Sequence, residues 1–187
     1  MLVEDGMSWR TRYTNSVLIG NKIWPNDTEV TIHFSPCTDD PKQQHITFEK
    51  YKYVFNKILQ NSVFVENQKQ YEVFKNYNEY VIDFCQRPVD QIVGVSLFAK
   101  LNSIGGDFLK INLLQIESWQ GENIKFVINE ESPEWDIIKT PDKEYNWLWD
   151  KNPHWSNFKK TKLTWEEIGF IINDYENSFT VIKGGRK

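Results

Sequence analysis

The sequence predicts an α+β fold: a small mixed or antiparallel sheet with two to three packed helices and a Trp-rich C-terminal segment. Three observations predict it. EVTIHFSP at 29–36 alternates, with Val30, Ile32 and Phe34 on one face and Thr31, His33 and Ser35 on the other, the period of a half-buried strand. RPVDQIVGVSLFAKLNSIGG opens with Pro88, closes at Gly105 and is apolar on nearly all sides, as a helix buried between layers would be. The element order is strand, helix, strand, helix, hairpin, Trp-rich loop, helix, which mixes both types in one chain.

The elements follow in order. Residues 1–28 carry no clear period; VLIG at 17–20 suits a short strand, and NKIWPND suits a turn because Pro25, Asn26 and Asp27 cluster. After the strand at 29–36, Asp39 or Asp40 can cap a helix that begins at Pro41. Phe48, Tyr51, Phe55 and Ile58 give that helix one apolar stripe, ending near Gln60 or Asn61. Val63 to Val65 suits a short strand, QKQYEVFKNYNEY is ambiguous, and YVIDFC at 80–85 is rich in strand formers.

In the helix after Pro88, Gly94 costs roughly 1 kcal/mol relative to Ala, which a close helix–sheet contact would explain. DFLKINLLQIESW and ENIKFVINEE, split by Gln120–Gly121, form an antiparallel hairpin. ESPEWDIIKTPDKEYN is a loop broken by Pro133 and Pro141. In TWEEIGFIINDY, Thr164 and Glu167 make a capping box ahead of the stripe Trp165, Ile168, Ile172 and Tyr175. SFTVI adds a last strand, and KGGRK is a basic tail. One domain spans 1–187, with 131–187 as a lid or appendage.

Composition narrows the function classes. The chain has 187 residues, is 40% hydrophobic and 15% aromatic, and can bury a sizeable core. Its net charge of −4 and scarce arginine (Arg10, Arg12, Arg87, Arg186) argue against bulk nucleic-acid binding. Cys37 and Cys85 make no disulfide framework and suit a reduced cytoplasm. With only His33, His45 and His154 besides, no metal site is expected. MLVEDGMSWR lacks the apolar core of a secretory signal, and no apolar run approaches the ~20 residues of a membrane span, so a cytoplasmic protein without membrane contact is expected.

Catalytic motifs are absent. There is no GxGxxG, no GxxxxGK[ST] and no GxSxG, and no cofactor is expected. Of the acidic pairs, Asp39–Asp40 and Glu166–Glu167 serve as caps. Glu130–Glu131 has no such account and is the one carboxylate pair left for acid–base work. The balance leans away from an enzyme; the one enzymatic alternative is a small-nucleotide enzyme using Glu130 or Glu131 with a metal. The strongest signal is aromatic and basic together: Trp147, Trp149 and Trp155 interleave with Asp150, Lys151, His154, Lys159 and Lys160. Indole faces stack on bases, worth about 1–3 kcal/mol each, yet aromatic rings also fill cores. The W-L-W spacing would set Trp147 and Trp149 on one face of a strand.

RPVDQIVGVSLFAKLNSI, with HITFEKYKYVFNKILQNSVFV before it, resembles a family of small uncharacterised proteins of large tailed bacteriophages, over about residues 28 to 130. The resemblance implies action on a host, in the host cell cytoplasm, and assigns no catalytic residue.

Two functions are therefore expected. In the first, a non-enzymatic protein binds and sequesters a small nucleotide-type ligand, with a counter-defence role. Trp147, Trp149 or Trp155 would stack on the base, Arg87, Lys100 and His154 would meet phosphate, and Asn102 would bind a polar edge. A homo-oligomer would place these groups in a shared pocket. In the second, the aromatic segment 135–165 binds a host protein as an inhibitor or adaptor.

Overall fold

A long hairpin begins the fold. Strand β1 (Met7–Ile19) pairs antiparallel with β2 (Lys22–Pro36), and Gly20 alone of the two loop residues takes a positive φ, +59°, the type II′ arrangement. This is seen in the computed structural model of the chain, which describes residues 6–84, 86–139, 146–159 and 161–172. The hairpin corrects two expectations: residues 7–16 are strand, not irregular, and KIWPND at 22–27 lies within β2. Pro25 is tolerated there because β5 flanks β2 only from Thr28 onward, leaving an edge at that point.

Asp40 caps helix α1 (Pro41–Tyr53), its side chain accepting from the N–H groups of Lys42 and Gln43 at 3.0 and 3.2 Å. The helix continues as a π-helical segment, Val54–Leu59, and stops at Gln60, as expected, with Asn61 at φ 61°. Tyr51, Phe55 and Ile58 of the expected stripe are buried, with Val54 and Leu59 beside them. Strand β3 (Val63–Val65) leads to α2 (Gln68–Phe74), which resolves the ambiguous segment as helix; Asn67 caps it. Strand β4 (Val81–Asp83) precedes α3 (Asp90–Gly105), then β5 (Leu109–Ser118) and β6 (Phe126–Ile128) form the expected antiparallel hairpin. Its connection is longer than Gln120–Gly121 alone, with positive φ at Glu122 and Asn123.

The sheet is mixed, in the order β4-β3-β1-β2-β5-β6; β1, β3 and β4 run parallel and the other pairs antiparallel. A bulge between His33 and Phe34 of β2 leaves Asn112 of β5 without an opposite residue. That shift of phase lets Leu109 and Ile111 share a face with Leu114 and Ile116, a pattern strict alternation cannot give.

Both faces carry core at the β4-β3-β1 end. Val17, Phe64 and Ile82 enter the main core with α1 and α3, while their neighbours Leu18, Val63, Val65 and Val81 form a second cluster under Tyr71 of α2. Gly94 of α3 explains its own cost. A Cβ there would lie 2.9 Å from Ile116 Cγ2 and 3.1 Å from Ile128 Cγ1, the close helix–sheet contact its sequence position suggests.

The C-terminal region departs most from expectation. Residues 131–139 include the helical turn α4 (Trp135–Ile138). Trp147–Trp149 is a 3-10 turn rather than a strand, so its two indoles diverge: Trp147 is buried and Trp149 exposed. The capping box at Thr164 and Glu167 forms in both directions, at 2.7 and 3.3 Å, but only a turn follows, ending at Gly169 with φ +82°. The expected stripe residue Tyr175, the strand SFTVI, the tail, Cys85 and Lys160 lie outside the described residues. Among the described residues no helix is long and apolar enough to cross a membrane.

Candidate functional site

Lys100 sits at the centre of the region that the indoles occupy. It projects from an apolar helix, is fully buried, and donates to the carbonyls of Trp147 at 2.9 Å, Asn152 at 2.8 Å and Asp150. Three ammonium N–H groups thus meet three carbonyls. The ammonium also lies 5.3 Å from the Trp155 ring. Burial pushes Lys100 down to about 7, and the charge of Asp150 acts against that shift. The carbonyls oppose it further, because a neutral amine has two N–H groups for three acceptors.

Ser103, one turn on, donates to the carbonyls of Leu148 at 2.8 Å and Ala99 at 3.1 Å. Trp147 plugs the core, its ring 5.2 Å from Trp155, and its Nε1–H donates to the Asp83 carbonyl at 2.7 Å. Trp165 Nε1–H donates to the Lys151 carbonyl at 3.0 Å, and the Tyr53 hydroxyl to the Ile168 carbonyl at 3.0 Å. These bonds fasten the segment around 146–168 onto α3, β4 and α1.

His154 is an exception in this fastened segment, as is the unpartnered Nε1–H of Trp155. His154 is 2% exposed, and neither ring nitrogen has a hydrogen-bond partner among the described residues. Burial lowers its pKa, and the charge of Lys100 lowers it further, so the imidazole is neutral near pH 7. His154 forms part of the wall of two clefts. One, of about 390 Å³, is also lined by Tyr71, Lys75, Tyr80, Trp155 and Lys159. The other, of about 540 Å³ and more open, is bounded by Trp149, Asp150 and Lys162.

The seven residues singled out in the sequence do not form one pocket. Lys100, Trp147, Trp155 and His154 come together, but Lys100 and Trp147 are sealed by their partners. Trp149 is exposed and stacks on Trp135, centroids 6.2 Å apart and planes 20° apart. Asn102 is engaged elsewhere: its Oδ1 accepts from the Ile111 N–H at 2.8 Å and its Nδ2 donates to the Ile111 carbonyl at 3.3 Å. It imitates the strand that β5 lacks there. Arg87 lies on a third cleft, above the start of α3, with no lining residue shared with the cleft of 390 Å³. Glu130 pairs with Lys110 at 2.8 Å on the surface.

Sequence reasoning missed Lys75, Tyr71 and Tyr80. They lie in or beside the segment whose secondary structure was ambiguous, so nothing placed them beside His154. No family model matches the chain, and no curated protein matches it.

Proposed function

We propose that this chain is a non-enzymatic binding protein whose cleft beside His154 takes up a small nucleotide-type ligand and sequesters it. The carrying observation is His154 itself: a buried imidazole with both nitrogens unpartnered, in the wall of a cleft that also carries Lys75 and Lys159. The volume of about 390 Å³ falls within the roughly 300–1,000 Å³ usual for small-molecule sites. Tyr71, Tyr80 and Trp155 offer aromatic surface, and the two lysines offer charge to a phosphate. Lys75 pairs with Glu72, an exposed contact of little strength that a phosphate can replace. If the phage resemblance holds, the use is removal of a host signalling nucleotide as counter-defence.

An anion beside His154 would raise the imidazole pKa, so binding takes up a proton. Affinity then rises as pH falls through the bound-state pKa toward the free-state value, which burial holds below the ordinary 6.5. Calorimetry against cyclic, linear and ADP-ribosyl nucleotides tests this. One of them should bind with that pH trend, and His154→Ala should weaken it by about tenfold or more, roughly 1.4 kcal/mol. No binding across the panel, or binding indifferent to His154, Lys75 and Lys159, ends the proposal.

A second reading has one observation in its favour. Trp149 and Ile137 are about half exposed, at 49% and 48%, and Trp149 stacks on Trp135. Such a rigid aromatic surface suits a protein partner. Trp149→Ala would then abolish capture of that partner and leave nucleotide affinity unchanged.

A further inference from the structure

The start of α3 lies over a row of buried polar side chains that no part of the nucleotide reading uses. Tyr13, Asn15, Asn26, Thr28 and Ser118 sit on the inward face at adjoining register positions: Asn15 opposite Asn26, Tyr13 opposite Thr28, Thr28 opposite Ser118. Several are tied together. Asn26 Nδ2 donates to Thr28 Oγ1 at 3.3 Å, and the Gln120 N–H donates to Asn26 Oδ1 at 3.0 Å. The Gly121 N–H donates to Ser118 Oγ at 3.1 Å, which donates to Asp90 Oδ1 at 2.7 Å.

Three members are not satisfied, and one is the Tyr13 hydroxyl, buried without a partner among the described residues. Asp90 is 5% exposed and its Oδ2 has no partner among the described residues. Asn15 is also 5% exposed, and neither its Oδ1 nor its Nδ2 has one. Asp90 is the first residue of α3, where the helix dipole favours a carboxylate, and that accounts for its position and for Oδ1. It does not account for an idle second oxygen, which is costly to leave buried and unmet.

Asp90 also lines a cleft of about 320 Å³. Ile19, Val89, Ile124 and Phe126 give this cleft apolar walls, and Arg87 stands on it. Val89, the N-cap, has no side-chain acceptor, so the first N–H groups of α3 are uncapped. The cleft therefore combines an anion-accepting helix end and guanidinium, a cation-accepting carboxylate oxygen, and an apolar surface.

We propose that this cleft binds a free α-amino acid with an apolar side chain. Its ammonium meets Asp90 Oδ2, its carboxylate meets Arg87 and the first turn of α3, and its side chain lies on Ile124 and Phe126. Gly121 leaves room for the carboxylate: a Cβ there would collide with Asp90 Oδ2, although the backbone of Gly121 suits any residue.

Saturation-transfer NMR on the full chain tests this with L-leucine and L-phenylalanine, each beside its N-acetyl and carboxamide forms. The free amino acids should bind at millimolar concentration, and both blocked forms should lose the signal. Asp90→Asn and Gly121→Ala should each weaken binding by about tenfold or more. Circular dichroism would show that at least one variant keeps its fold. No signal from either free amino acid overturns the proposal. So does binding of a blocked form as strong as that of the free acid, or binding unaffected in a folded variant. The cleft shares no lining residue with the 390 Å³ cleft beside His154, so this result and the nucleotide result stand apart.

Discussion

Lys100 illustrates how far a single residue can be read from sequence. Its expected role was to meet phosphate, and the structure instead surrounds it with carbonyls 47 to 52 residues away. No local pattern encodes partners at that separation. Asn102 was equally illegible, since its bond to Ile111 depends on α3 lying against β5. Replacing Lys100 by Met keeps the length and leaves three buried carbonyls unmet. Stability should fall by about 3 kcal/mol or more, measured by urea denaturation near neutral pH. The pH trend has a definite sign. The folded value of about 7 lies below the ordinary 10.5. Between these values the unfolded chain holds a proton that the folded chain has released, so this group adds stability as pH rises through that window. Lys100→Met should lack that rise; an equal rise in the variant would show that Lys100 does not titrate there.

Among the elements, those with a strong period were legible. The strand at 29–36, the first helix with its Asp40 cap and its end near Gln60, and the buried helix after Pro88 all appear. Strand β1 was hidden because its inward face carries Thr11 and Asn15 among apolar residues, and Pro25 imitates a turn. The box at Thr164 and Glu167 gives the opposite lesson. A complete cap forms without a helix, because a cap saves two donors and cannot replace propagation. Gly94 offers a test at this scale. Its Cβ contacts predict that Gly94→Ala lowers stability by about 1–2 kcal/mol, overpacking against Ile116 and Ile128 outweighing better helix propensity. A neutral or stabilising result in urea denaturation would mean the helix can lift off the sheet at little cost.

For the whole molecule, the α+β class was legible, while the strand order was not. Pairing β3 between β1 and β4, all three parallel, places α2 on the far face of the sheet and creates a second core cluster. The same topology sets Tyr71, Lys75 and Tyr80 opposite His154 and Trp155. It also separates Arg87 from them, so the site expected from the sequence is divided among separate clefts. The indole-rich stretch is mostly a fastening: Trp147 and Trp155 are buried, and Trp149 is the exposed member. The central claim is that the molecule holds a small nucleotide-type ligand beside His154 without turning it over. Native mass spectrometry of freshly purified protein, repeated after denaturation and with His154→Ala, tests it most directly. The account predicts a nucleotide-sized mass on the native protein that denaturation releases unchanged and that His154→Ala loses. A mass retained equally by the variant, or a clean apo mass that persists after incubation with the nucleotide panel, would contradict it.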